Sequence, residues 1–502
     1  MQGLDGEGFP NRRDFAKGLN RRWISVDTAT VSTGAWALNL RERRWIAALG
    51  DVLVAGLAAV GALALWSWAD HGAVTPAWLL ARLFWIPVLT VLWLGALTLS
   101  GAYALPYFYR ERTSVRFLGT AVGLTVGTYL IVYFAAPRTL LPRLVVLAFV
   151  SLAVSLTGGW RVVWARWMGH AAMGRPVLIV GTGDVGKALA ALLHERPQTG
   201  YRVVGFVHES TPPVESVQVS GIGPLPVLGS VWDLPSLIQQ TGAVEVVVAA
   251  RGPLSPELAD GLTWAHVRGV AVTAATDLYE ALTGRVPLDF IGEDWLAVLP
   301  LNHRATGVLY RTAKRIMDIV GATLGLLLFL PFLPFVALAI RLDSPGPVFY
   351  RQRRVGQGGK VFTIWKLRTM RPDAEAENRP VWAQENDPRV TRVGRWLRKF
   401  RVDEFPQFWN VLKGDMSAVG PRPERPEFEQ ELARQIPFYP LRHAVKPGMA
   451  GWAMIHHDYV DSLEDAKVRL EYDLYYIKHQ SLWLDLQVIV QAVLELLAQK
   501  GR

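Results

Sequence analysis

Four apolar stretches, at about 45–68, 78–101, 115–136 and 141–160, follow a polar and basic N-terminal segment. The first, third and fourth are near the ~20 residues that a membrane-crossing helix needs, and the second is interrupted only by Arg82 and Pro87. Cations are unevenly shared among the connecting segments. Arg41, Arg43 and Arg44 precede the first stretch; Arg110, Arg112 and Arg116 lie between the second and third; Arg161 and Arg166 follow the fourth. The two alternate loops are poorer, carrying mainly Asp70 and His71 in one and Arg138 and Arg143 in the other. The positive-inside pattern predicts a four-helix transmembrane bundle over 45–170, with the tail 1–44 and everything after the fourth helix on the cytoplasmic side. The polar start also predicts no cleavable signal peptide.

The pattern then changes to short β runs alternating with helices over 174–300. Val177-Leu178-Ile179-Val180 reads as a buried strand, followed by Gly181-Thr182-Gly183-Asp184-Val185-Gly186 and an apolar-periodic helix to about Leu193. Further strands at 202–207, 244–250 and 270–274, with a helix at about 255–268, continue a doubly wound, Rossmann-like α/β domain. Gly181, Gly183 and Gly186 have the strand-before, helix-after context of a nucleotide-binding turn, and Glu209 stands where an acidic ribose ligand is expected. No Tyr-x-x-x-Lys or other evident catalytic partner occurs between 210 and 300, which favours a structural or regulatory module over a nicotinamide enzyme.

A fifth apolar run, Ile316 to Ile340, is broken by Pro331 and Pro334 and has cations on both flanks, Lys314 and Arg315 before it and Arg341, Arg351, Arg353 and Arg354 after. Neither flank is favoured as the outside, and paired prolines remove backbone bonds and force a bend. The expectation is a re-entrant helix over 316–340, kinked at Pro331 and Pro334, that enters and leaves by the cytoplasmic face. The remaining residues, to 502, form a polar, Arg-rich domain ending in an amphipathic helix at Asp485–Ala498, on the membrane or packed against the domain.

Composition supports a membrane protein that handles anions. Of 502 residues, 51% are apolar, yet 53 are Lys or Arg against 43 Asp or Glu, a formal excess of ten positive charges. That excess suits lipid headgroups or phosphate substrates, and no nucleic-acid partner is expected. Twenty Trp favour the membrane–water interface. With no Cys, disulfides, thiolate nucleophiles and Cys-ligated zinc are excluded.

The densest chemistry lies between Arg401 and Pro423. Asp403 and Glu404 precede a helix-compatible segment, the run closes on Gly420-Pro421-Arg422-Pro423, and Arg389, Arg392, Arg395, Arg398 and Lys399 come before it. Neighbours on a helix point about 100° apart, which suits a division of labour in which one acid can attack phosphorus while the other helps hold magnesium or moves a proton. Pro406 suits a first helical turn, which would seat the pair near that helix's positive end. Arg398 and Arg422 can each grip phosphate oxygens bidentately.

Residues 311–502 resemble the bacterial sugar transferases, monotopic polyprenyl-phosphate hexose-1-phosphate transferases. The resemblance rests on Lys314-Arg315-x-x-Asp318, Ser344-Pro345-Gly346-Pro347-Val348-Phe349-Tyr350-Arg351-Gln352, Lys366-Leu367-Arg368-Thr369-Met370, the Asp403–Pro423 block, Lys446-Pro447-Gly448, Gly451-Trp452 and Tyr472-Asp473-Leu474-Tyr475-Tyr476-Ile477-Lys478. With four spans and a Rossmann-like (CoA- or nucleotide-binding-like) domain ahead of it, the chain looks like the long-form members.

The resemblance implies an α-rich monotopic transferase domain under a bacterial cytoplasmic (inner) membrane. In it, the Asp at position 403 attacks the sugar-bearing phosphorus of a UDP-sugar, releasing UMP, and undecaprenyl phosphate then takes the phosphosugar. It also implies Mg2+ at Asp403 and Glu404, phosphate contacts from Arg398, Arg422, Lys366 and Arg368, a homodimer by analogy, and a place at the start of exopolysaccharide, capsule or O-antigen assembly. Departures are Met454 for the usual Gln, Ala450 for Thr and Phe405 for Leu, with His456 and His457 unusual in their stretch. They leave the donor sugar open. Two rival readings are a nucleotide-sensing regulator with an inactive transferase domain, and a nicotinamide-dependent sugar-nucleotide enzyme.

Overall fold

The computed structural model describes residues 40–74, 77, 80, 82–103, 111–135, 142–168, 174–209, 215–250, 252, 254–291, 307–371, 387–457 and 462–497. Four apolar helices come first: α1 (Leu40–His71), α2 (Trp85–Leu99), α3 (Glu111–Ala135) and α4 (Arg143–Met168). They share one apolar cluster, in which Ala55, Ala59 and Leu63 meet Trp93, Leu97, Ala121, Phe149 and Ala153. Small residues on α1 let the helices approach closely, and the buried Trp93 indole N–H donates to Thr157 Oγ1 at 3.1 Å. Among the described residues, α1 and α4 are long and apolar enough to cross a membrane, whereas the apolar parts of α2 and α3 are shorter. Of the four expected spans, two thus have the length and apolar composition for a crossing.

The α/β domain contains β1 (Arg175–Val180), α5 (Asp184–Glu195), β2 (Tyr201–His208), β3 (Ser216–Val219), β4 (Gly223–Ser230), α6 (Leu234–Thr241), β5 (Glu245–Val248), α7 (Pro256–Val267), β6 (Ala271–Ala274) and α8 (Ala275–Thr283). Its sheet runs β3-β4-β2-β1-β5-β6, parallel except for β3 against β4. Strand β1 is continuously apolar from Val177 to Val180 because helices cover both faces. Val177 and Ile179 join α5 and α8, while Leu178 and Val180 join α6 and α7. The pattern reading does not include β3, β4, α6 or α8: β4 contains Gly223, Pro224, Pro226 and Gly229, and α6 has only eight residues.

The C-terminal part holds α9 (Val308–Phe329), α10 (Leu333–Asp343), β7 (Phe349–Val355), β8 (Val361–Leu367), α11 (Arg392–Lys399), α12 (Gln407–Lys413), β9 (Ser417–Val419), α13 (Pro426–Gln435), β10 (Gly448–Ala450), α14 (Trp452–His456), α15 (Leu463–Lys478) and α16 (Leu482–Leu497). Helices α9 and α10 are bent by 62° at a short break. Pro331 lies in that break and Pro334 in the first turn of α10, where a missing N–H is harmless. The outer sides of this pair expose Leu324, Leu327, Leu328, Phe332, Phe335 and Leu338. Helix α16 packs inward, burying Leu484 and Val488, and Gln487 Nε2 donates to Thr98 O at the end of α2 at 2.9 Å.

The three parts are fastened together. Buried Arg43 of α1 donates to Thr199 O of the α/β domain at 3.1 Å. On the other side, residues 284–291 leave α8 and enter the C-terminal core, where Glu471 accepts from Leu288 N at 3.1 Å and pairs with Arg285 at 3.3 Å. Burial pushes the Glu471 carboxyl up to about 7, against the pull of Arg285 and the Leu288 N–H. A folded-state value above the ordinary 4.5 means that the folded chain binds this proton more readily, so stability is lost as pH rises from about 4.5 to about 7. Glu471→Gln is expected to raise the melting temperature at pH 8, by the equivalent of about 2–3 kcal/mol, and to change it little at pH 4. A difference that stays constant across pH would contradict this account.

Candidate functional site

Helix α11 starts on a Thr391 cap, whose hydroxyl accepts from Gly394 N at 3.0 Å. Gly394 lies directly on the Thr369 backbone, which leaves no room for a Cβ. That close crossing lets Arg398, one turn later, turn inward and donate through Nε to Thr369 Oγ1 at 2.9 Å. Arg392, Arg395, Trp396 and Lys399 stay exposed. Of the cation run noted in the sequence, Arg398 is the member directed at the site.

After α11 the chain reverses at Arg401, which has the left-handed φ of 50° that non-glycine residues rarely adopt. A 3-10 turn, Val402–Glu404, follows at once and carries both acids. They therefore sit one turn ahead of α12, with Pro406 at its N-cap. Phe405 packs on Phe329 at the break between α9 and α10 (ring centroids 5.3 Å apart) and on Phe408 (5.5 Å), tying the acidic turn to α9.

Lys366 Nζ, from β8, and Arg422 Nη2 each bond Glu404 Oε1 at 3.0 Å. Burial opposes the charge of Glu404, but Lys366, Arg422 and Arg401 outweigh it and hold the carboxyl well below the ordinary range. Asp403 is buried beside it. Burial and the neighbouring Glu404 charge push it up to about 6, against the pull of Lys366, Arg398 and Arg422. Burial also lowers Lys366 and Arg398. Two adjacent acids are thus driven apart: Glu404 is fixed as an anion by cations, while Asp403 carries the less stabilised charge. Among the described residues, no group of three or more acid or histidine side chains gathers to hold a metal ion. A divalent ion on this pair would complete its shell with phosphate oxygens and water, the usual habit of magnesium.

The structure thus brings Asp403, Glu404, Lys366, Arg398 and Arg422 together. Arg368 is directed elsewhere: it is buried, with Nη1 donating to Pro345 O and Nη2 to Ser344 O at 2.7 Å, so it closes the end of α10 rather than facing the carboxylates. Gly181, Gly183, Gly186 and Glu209 form a second constellation in the α/β domain. Gly181 has φ 111°, and a Cβ there would lie 2.7 Å from Glu209 Oε1, so the glutamate overhangs the turn. Gly183 is the N-cap of α5 and faces open space, while Gly186 packs against Phe206. Burial raises the Glu209 carboxyl, and nearby His208 opposes the shift.

Several supports were not identified in the sequence. Arg354 Nη1 donates to Pro423 O at 3.0 Å and Arg442 Nη2 to Arg422 O at 2.9 Å, so two cations hold the Arg422-Pro423 turn by its carbonyls. Asp473, in the Tyr472–Lys478 motif, pairs with Arg442 at 2.9 Å. Helix α9 secures the rest of the block. Arg315 bonds the carbonyls of Val411 and Leu412, both at 2.6 Å, and Asp318 Oδ1 accepts from Ser417 Oγ at 2.9 Å and Ala418 N at 2.8 Å. Lys314 pairs with Asp485 at 3.0 Å, and Tyr476 OH bonds Asp485 at 2.6 Å and Val419 O at 3.2 Å.

Two known families match parts of the chain. The family described as bacterial sugar transferase matches residues 309–499, and the family described as CoA-binding domain matches residues 98–251. The UDP-N-acetylgalactosamine-undecaprenyl-phosphate N-acetylgalactosaminephosphotransferase of Aeromonas hydrophila is 45% identical over 223 residues, 44% of this chain and 51% of that protein. The UDP-glucose:undecaprenyl-phosphate glucose-1-phosphate transferase of Escherichia coli (strain K12) is 35% identical over 340 residues, 66% of this chain and 70% of that protein. A putative undecaprenyl-phosphate N-acetylgalactosaminyl 1-phosphate transferase of Bacillus subtilis (strain 168) is 51% identical over 133 residues, 26% of this chain and 74% of that protein. The match thus spans about half the length of the Aeromonas relative and seven-tenths of the Escherichia one. Given these matches and the ordered motifs around Asp403, the chain belongs to the bacterial sugar transferase family.

Proposed function

We propose that this chain is an undecaprenyl-phosphate hexose phosphotransferase. It moves a sugar-1-phosphate from a UDP-sugar to the lipid phosphate and releases UMP. The observation that carries the reading is the Asp403–Glu404 pair, buried among Lys366, Arg398 and Arg422 with the two acids driven apart. A diphosphate brings negative charge that would repel an attacking carboxylate, and these cations offset it.

Asp403 attacks the sugar-bearing phosphorus, forming an aspartyl–phosphate bond as the bond to UMP breaks. An oxygen of undecaprenyl phosphate then attacks the same phosphorus and expels the Asp403 carboxylate, which leaves the lipid diphosphate sugar. Glu404 keeps Lys366 and Arg422 in place through both steps. Magnesium held by Asp403 and Glu404 would supply further charge neutralisation at the phosphates. The apolar faces of α9 and α10 rest in the inner leaflet as a re-entrant pair, with α1–α4 as spans and the acidic turn on the cytoplasmic side. The lipid product would begin an exopolysaccharide, capsule or O-antigen.

The relatives are named for glucose and N-acetylgalactosamine, so the donor is proposed only as a UDP-hexose. A panel of UDP-hexoses, incubated with the full chain, undecaprenyl phosphate and magnesium, is expected to show UMP release with one or two donors. It should stop when lipid phosphate is withheld, after at most one equivalent. No release from any donor would sink the reading.

A further inference from the structure

The family match begins at residue 309, yet the core behind the Arg422 turn contains residues from further upstream. Val286 and Leu288, in the segment that leaves α8, are buried in the same apolar cluster as Val419, Trp452, Leu470 and Leu474. Val286 N also donates to Glu471 O at 3.0 Å. Trp452 is buried, its ring stacks on Tyr475 with centroids 5.7 Å apart, and its indole N–H donates to Gly284 O at 2.8 Å. A buried indole donor of the transferase domain is therefore satisfied by a carbonyl of the α/β domain.

The path from Trp452 to the site is short and made of backbone. Strand β10 pairs in parallel with β9, Gly420 N donates to Ala450 O, and Gly448 N donates to Pro421 O, both at 2.9 Å. Gly451 is so close that a Cβ there would lie 2.6 Å from Gly420 O. Arg422 follows two residues later and bonds Glu404. Backbones packed this tightly leave little room for one strand to move without the other.

We propose that the segment Gly284–Phe290 is the outer brace of the Arg422 turn, and that Trp452 is the positioning residue through which it acts. The α/β domain is then a structural part of the catalytic unit. Because α5 and α8 share one core, the helix that opens at Gly183 is packed onto the root of the brace. The kinetic side of the proposal rests on the reading of Arg422 as a phosphate contact; the structural side does not.

The test uses the full-length chain with Trp452→Phe, which keeps an aromatic side chain but removes the N–H donor and part of the ring, and Val286→Ala, which trims the brace. Hydrogen exchange of peptides covering 417–424 is expected to speed up about tenfold in both variants, while exchange in α1–α4 stays unchanged. UMP release by Trp452→Phe is expected to fall about tenfold in kcat/KM, since small displacements of a charged contact are costly in rate. Combined with Arg422→Lys, the loss should fall well short of the product of the single losses, because both substitutions disturb one element. Unchanged protection at 417–424 overturns the brace, and so do fully multiplicative kinetic losses. Exchange needs no substrate, so an inactive wild-type chain would count against the transferase reading and leave the brace to be judged by protection alone.

Discussion

Asp403→Asn is expected to abolish the phosphosugar adduct and to reduce UMP release from UDP-hexose by at least about a thousandfold, because an amide cannot attack phosphorus. The substitution is nearly isosteric and removes a buried charge that faces Glu404 and opposes its own desolvation. The folded state should therefore survive, with a melting temperature in chelator-containing buffer no lower than that of the native chain. Residues chosen for chemistry often cost stability in this way, so activity and stability should move in opposite directions at Asp403. Intact-mass detection of the adduct and a thermal melt on the same preparation provide both readings. Turnover near the native rate would remove Asp403 as the nucleophile. A collapse of the fold would instead mean that its charge is part of the packing.

What could be read from the sequence follows from how local each signal is. Long apolar runs, the strand–glycine–helix start of the α/β domain and the proline pair depend on neighbours in the chain, so each fell close to its place in the structure. The 62° bend between α9 and α10 lies where Pro331 and Pro334 interrupt the run. The Asp403–Glu404 pair stood out because carboxylates and cations are dense there. Arg368 shows the limit: two positions after Lys366, a continuing strand would place it on the same face, but β8 ends at Leu367 and its guanidinium turns to the carbonyls of the Ser344-Pro345 turn. The proposed brace, Gly284–Phe290, was invisible for a related reason. Nothing in Gly284-Arg285-Val286 announces that these residues fill a core more than 160 positions downstream, and the boundary drawn at 311 left them out.

The polar face of α9 had a signal that could have been followed further. Lys314, Arg315 and Asp318 interrupt a helix that otherwise turns apolar side chains outward, and Lys314 and Arg315, four and three positions before Asp318, each lie on its side of the helix. Ionisable residues at such a place need partners. Those partners are the carbonyls closing α12, the hydroxyl and N–H that begin β9, and buried Asp485. Helix α9 therefore holds the Asp403–Pro423 block from α12 to β9, which accounts for the motif without giving it a chemical step.

The largest stability effect is expected at Arg442. Its guanidinium is almost wholly buried and bonds Tyr439 OH at 2.6 Å, Asp473 Oδ2 at 2.9 Å and Arg422 O at 2.9 Å. Burial opposes its charge, but Tyr439, Asp473, Glu424 and Glu429 outweigh that and hold it above the ordinary arginine range. Arg442→Met would strand Asp473, which is only 1% exposed, and is expected to cost about 3–5 kcal/mol in a chemical or thermal melt. Adding Asp473→Asn should recover much of that loss, since removing both halves of a buried pair is far cheaper than removing one. Activity should not return with it, because Arg422 O would still lack its donor and the turn would still drift from Glu404. A double variant that is both stable and fully active would show that the Arg354 bond to Pro423 O holds the turn alone, and that Arg442 serves the core and not the site.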